Sequence, residues 1–178
     1  MALENLDTSE NSDASQQGAQ STDKIPAAAL WLGGTGAIPF VALALVGYVF
    51  GPIYLAASGF ALLAYGAVIL SFLGGIHWGR AIGTTSAAGL TQKYDDKTSV
   101  KLWAGLGLSV VPSLIAWGAL ILPVTTGLIV LAISFGGMLL VDLRACAMGI
   151  WPRWYGRLRI PLSLTVIASL LLGWGSLQ

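Results

Sequence analysis

Apolar residues run through this chain in long unbroken blocks, not at the alternating or three-to-four spacing of half-buried elements. From 25 to 79 there is no Asp, Glu, Lys or Arg. A helix that crosses a bilayer needs about 20 apolar residues. The block therefore holds two such helices, predicted over 27–50 and 53–78 with a turn at Gly51-Pro52. A second uncharged block, 102–141, predicts helices over 102–121 and 124–141, broken near Leu122-Pro123. A last apolar stretch predicts one more helix over 161–176, with Pro161 in its first turn. That helix is the weakest of the five, because it is barely long enough to span and a chain end can instead lie at the interface.

Composition supports the same reading. Of 178 residues, 56% are hydrophobic and only 10% are charged, where a soluble domain carries about 25% charged residues. So few charges cannot cover a surface in water. The expected fold class is all-α, a polytopic membrane helix bundle of five transmembrane helices over 25–178. Net charge is +1, which argues neither for nor against nucleic acid; no basic cluster with interleaved aromatics resembles a nucleic-acid-binding module, so no such partner is expected. The single cysteine, Cys146, excludes an internal disulfide framework.

The placement of charge adds orientation. Residues 1–24 hold five of the eight acids and one base, Lys24, among Ser, Gln, Asn and Ala. Such a segment cannot bury enough surface to order itself, so a disordered acidic cytoplasmic tail is expected. Its sign is opposite to that of a secretory or transit peptide, which points to a bacterial cytoplasmic (inner) membrane. With five spans, the tail, the 80–101 loop and the 142–159 loop share one side. All nine Lys and Arg lie on that side: Lys24, Arg80, Lys93, Lys97, Lys101, Arg144, Arg153, Arg157 and Arg159. The positive-inside rule then gives N-in and C-out.

Inside the spans, small residues mark close helix approach. Ala67, Ser71, Gly75 and Gly79 form a four-residue stripe, for which packing within the chain is favoured over a homodimer seam. Pro39 and Pro112 sit well inside their helices and each removes a backbone hydrogen bond, so both helices should kink. Transporters use broken helices to expose backbone to substrate, but most membrane prolines only bend the helix.

Few residues could carry chemistry. His77, the only histidine, ends the second span beside Arg80; Asp142 ends the fourth, just before Arg144. Both spans finish on the cytoplasmic side, so His77, Arg80, Asp142 and Arg144 form a candidate polar cluster. It is either a proton site or an interfacial ion pair that fixes two helix ends, and the second reading is favoured. In 150–159, Trp151, Trp154, Tyr155 and Leu158 share one helical face with Arg153 and Arg157 opposite. Together with Arg159 they suit a short helix lying among anionic lipid headgroups. Catalytic, cofactor and metal sites are not expected, because one His, one Cys and few acids supply neither the usual zinc set nor a nucleophile motif.

Four stretches resemble a known family. They are Gly36-Ala-Ile-Pro-Phe-Val-Ala-Leu-Ala-Leu45, Tyr65-Gly-Ala-Val-Ile-Leu-Ser-Phe-Leu-Gly-Gly-Ile-His-Trp-Gly79, Pro112-Ser-Leu-Ile-Ala-Trp117 and Pro152-Arg-Trp-Tyr-Gly-Arg-Leu-Arg159. They are similar to domain-of-unknown-function family 3429, bacterial inner-membrane proteins with mitochondrial relatives similar to transmembrane protein 69. The resemblance covers roughly 26–176 and implies a multi-span membrane protein. It implies no activity and no site residues.

Three function classes remain open. The favoured one is a non-enzymatic membrane component that assembles with other membrane proteins or with itself. The second is a small transporter or channel using Pro39, Pro112 and a His77/Asp142 site. The third, a membrane enzyme at the cytoplasmic interface, ranks last for want of a nucleophile or metal.

Overall fold

The computed structural model describes residues 24–88 and 96–178. The acidic segment 1–23 and Lys93 lie outside the described residues, as do the side chains of Lys97, Lys101 and Trp103. The described chain is all-α. Helix α1 is Ala27–Phe50, α2 is Pro52–Ala88, α3 is Asp96–Ile121, α4 is Val124–Ala147 and α5 is Arg153–Ser176.

The connections follow from local chemistry. Gly51 adopts a φ of 84°, a left-handed conformation that side-chain-bearing residues rarely take, and Pro52 opens α2. Pro123 precedes α4 and Pro152 precedes α5 as their N-cap residues. Two residues beyond the end of α4, Gly149 takes a φ of 69°. There the Ile150 N–H donates to the Ala145 carbonyl at 2.9 Å and the Gly149 N–H to the Cys146 carbonyl at 3.0 Å. This paired closure satisfies carbonyls that a helix end would otherwise leave bare.

The helices outrun the apolar blocks. Helix α2 has 37 residues and carries on past Trp78 through Arg80, a length of about 55 Å at about 1.5 Å per residue. Helix α4 continues past Val141 to Ala147, and α5 starts at Arg153. The expected 142–159 loop is therefore mostly helix, and only 148–152 connects. Arginine is a good helix former, so a cluster of charge ends the apolar stretch without ending the helix. Pro161 is also not in a first turn. It lies inside α5, where it deprives the Arg157 carbonyl of its helical donor.

Consecutive helices run antiparallel, and α2 touches each of the other four. Among the described residues, α1 packs on α2 and α5, α4 on α2, α3 and α5, and α3 on α2 and α4. The core holds Phe40, Leu62, Leu63, Leu70, Leu131 and Phe135, all essentially inaccessible. The outer surface is as apolar as the core: Trp31 is 73% exposed, Leu32 75%, Ile53 84% and Ile133 70%. A surface of this kind is stable against lipid and not against water. Among the described residues, four helices are long and apolar enough to cross a membrane; the apolar part of α3, Gly105–Ile121, is shorter.

Lipid offers no hydrophobic drive between helices, so contact depends on close fit. A Cβ on Gly74 would run into the Ser109 carbonyl of α3, and one on Gly127 would meet the Ala119 carbonyl at 2.6 Å. The stripe read from the sequence is used only in part. Ala67 is buried and Ser71 half-buried, but Gly75 and Gly79 are exposed and a Cβ there would meet no described atom. Gly74 makes the close approach in their place. Pro39 and Pro112 lie inside continuous helices, and Pro112 is buried beside Gly74.

A buried carboxylate shared by three helices as the candidate functional site

Helices α2 and α4 run parallel, which brings the ends of two apolar blocks to one depth. Asp142 of α4 is fully buried there. His77 of α2 stands with Nε2 at 2.9 Å from Asp142 Oδ1. Facing a carboxylate, this nitrogen carries the hydrogen and donates. The second carboxylate oxygen, Oδ2, accepts from Nε of Arg159 at 2.6 Å. Arg159 comes from α5, about 9 Å along that helix from Arg153 at about 1.5 Å per residue. One carboxylate thus joins three helices.

The sequence had placed Arg159 with the headgroup-facing residues. In the structure its side chain is 8% exposed and points inward to Asp142. Continuous helix from Arg153 puts Arg159 on the same face as Ser163, Val166, Leu170 and Gly173, all buried. Arg153 and Arg157 are exposed, Trp154 and Tyr155 are half-buried, and Leu158 is buried. Arg144 is exposed.

Arg80 joins the cluster indirectly. Its guanidinium lies 5.2 Å from the centroid of the Trp151 ring, within the range of cation–π attraction. The Trp151 ring meets His77 edge-on at 5.8 Å and stacks on Tyr155 at 5.0 Å. Trp151, at the α4–α5 connection, therefore covers the outer side of the His77–Asp142 pair. Cys146 is half-buried, with Sγ near the Pro152 carbonyl, and it packs against Gly156.

Burying ions is costly, and attraction repays this only where geometry is good and other polar atoms are satisfied. Both oxygens of Asp142 are satisfied. Arg159 is not: its Nη2 is buried without a partner, and so is the Ser163 hydroxyl one turn further along α5. A buried donor left without a partner costs about 1–3 kcal/mol. Both residues line a cavity between α1, α2 and α5. Other hydroxyls in the bundle bond to their own helix, as Ser134 does to the Val130 carbonyl and Ser169 to the Thr165 carbonyl. No group of three or more His, Cys, Asp or Glu able to hold a metal occurs among the described residues.

The site lies within the part of the chain that has recognisable kin. The model of a family described as "Protein of unknown function (DUF3429)" matches residues 25–175. The chain belongs to this family. The match includes every stretch on which the resemblance rests and leaves out the acidic segment. Among relatives of this DUF3429 chain, transmembrane protein 69 of Xenopus tropicalis is 39% identical over 147 residues, covering 82% of this chain and 53% of the relative. Transmembrane protein 69 of Mus musculus is 29% identical over 144 residues, covering 81% and 54%. The chain thus spans about half the length of the curated relatives it matches. No solved structure matches it. With these relatives and its apolar exterior, the DUF3429 chain is a membrane protein.

Proposed function

We propose that this chain is a non-enzymatic component of a bacterial cytoplasmic membrane that acts by assembling with membrane partners or with itself. The observation that carries this reading is the saturation of Asp142, which is 0% exposed with each carboxylate oxygen already engaged. A carboxylate so enclosed, with a partner on each oxygen, fastens helices and is closed off from a substrate. The buried hydroxyls of Ser58, Ser109 and Ser169 bond to their own helices, so they add little to a polar path such as a transporter requires.

Five spans with N-in and C-out remain the topology best supported. Lys24 lies just before α1, Arg80 in the last quarter of α2, Lys97 and Lys101 in the first two turns of α3, Arg144 in the last turn of α4, and Arg153, Arg157 and Arg159 in the first two turns of α5. These positions share one end of an antiparallel bundle, and the positive-inside rule turns that end to the cytoplasm. Exposed Arg153 and Arg157 there suit contact with anionic headgroups. The exposed face at Gly75 and Gly79 suits a neighbouring transmembrane helix.

The test is crosslinking in native membranes followed by purification in mild detergent. A complex or homo-oligomer that Gly79→Leu disrupts supports the reading. Free monomer in both the parent and the variant overturns it.

A further inference from the structure

The cavity beside Arg159 measures about 330 Å³ and is walled almost wholly by carbon, from residues such as Gly36, Phe40, Phe72, Ile76 and Leu162. Its polar groups include two of the three buried side-chain atoms that lack a partner among the described residues; the third, Trp151 Nε1, does not line it. Arg159 Nη2 and Ser163 Oγ are both buried, the serine at 1% exposure and the arginine side chain at 8%. Native proteins seldom leave such groups unmade. Two adjacent orphans on the wall of one cavity call for an acceptor atom inside it.

Water alone is a poor occupant. A buried water needs several polar partners, and an apolar chamber stays dry. This one has the volume of about ten waters at about 30 Å³ each and very few groups to hold them. An occupant with a carbon body and one terminal acceptor satisfies both the walls and the donors. The chamber is at the small end of ligand sites, which run from about 300 to 1,000 Å³. Its rim includes Leu32, 75% exposed, so a longer tail would run outward into lipid.

The charge on the acceptor follows from Asp142. Arg159 already faces that carboxylate through Nε, so its positive charge is matched. A second carboxylate would be drawn beside Asp142 with only one cation between them, which is repulsive in a medium of low dielectric. A neutral oxygen meets no such opposition.

We infer that the cavity between α1, α2 and α5 binds a neutral lipophilic molecule through a carbonyl oxygen held by Arg159 Nη2 and Ser163 Oγ. The ester carbonyl of a membrane lipid and the ring carbonyl of a quinone share this chemistry.

The experiment uses the full chain purified in detergent and two variants. Gly36→Leu fills the chamber, and a Cβ at Gly36 meets no described atom. Ser163→Ala removes one donor and adds no bulk. Bound lipid is extracted and identified by mass spectrometry, and a short-chain ubiquinone analogue is titrated by tryptophan fluorescence quenching. Saturable quinone binding by the parent, weakened about tenfold or more by Gly36→Leu and about five- to tenfold by Ser163→Ala, supports the inference and names a free carbonyl compound. One diacyl lipid retained per chain, and lost in both variants, supports it with a lipid as the source. If Gly36→Leu does not fold, Ser163→Ala decides alone. Neither probe held by the parent, or equal binding by parent and Ser163→Ala, overturns it.

Discussion

Arg159 donates through Nε to Oδ2 of Asp142, 17 residues earlier in the chain, and so ties the two arms of the α4–α5 hairpin together inside the bundle. His77 holds the other oxygen from α2. The energetics of that arrangement are asymmetric. Building the pair gains little over apolar packing, but removing one partner leaves a bare charge in a dry place.

Arg159→Met should therefore destabilise the fold by about 3–5 kcal/mol, by leaving Asp142 without its cation. Asp142→Leu combined with Arg159→Met should recover most of that loss, because no charge remains to strand. Reversible unfolding in mixed micelles, followed by far-UV circular dichroism, measures both. A double variant no more stable than Arg159→Met would refute this account of the pair.

His77→Phe should be milder, about 1–3 kcal/mol. Asp142 keeps Arg159, and the ring stays against Trp151. The same unfolding titration reads it, and a loss as large as that of Arg159→Met would contradict the ranking.

Neighbouring glycines should behave oppositely. Gly74→Ala pushes a Cβ into the Ser109 backbone carbonyl, which cannot swing aside as a side chain can. Overpacking of this kind costs about 1–3 kcal/mol. Gly75→Ala meets open space and should stabilise α2 slightly through helix propensity. Thermal denaturation in detergent compares the pair, and equal melting temperatures would show that α2 and α3 do not approach at Gly74.

Topology separates five spans from four. Reporter fusions after Gly51, Pro123 and Gln178 should report the outside and one after Gly149 the cytoplasm. If α3 does not cross, Pro123 and Gln178 move to the cytoplasm and Gly149 to the outside. Alkaline-phosphatase and fluorescent-protein fusions at the same four positions give complementary readouts.

His77 and Asp142 were legible as a pair because each ends an uncharged block, and two spans finishing on one side bring their last residues to one depth. Arg159 was not legible in that way. The cations from Arg144 to Arg159 resemble a loop when charge is taken as the limit of a helix. Gly149 and Pro152 were the better signal. A glycine suited to closing one helix and a proline suited to opening the next leave Arg159 a turn and a half inside α5, in line with Ser163, Val166 and Gly173. The stripe of small residues was legible only in part, for a different reason. Four-residue spacing marks a smooth face but not which neighbour lies against it, and α2 has neighbours on several sides.

Because Arg159 follows both His77 and Asp142 in the chain, the order of synthesis matters. His77 and Asp142 leave the ribosome first, and the carboxylate enters the bilayer with its cation still untranslated. Until α5 inserts, α4 carries an acid without its arginine partner, which is costly inside hydrocarbon. Closure of the hairpin at Gly149 delivers that cation, so α4 and α5 hold each other in the bilayer more firmly than either would be held alone.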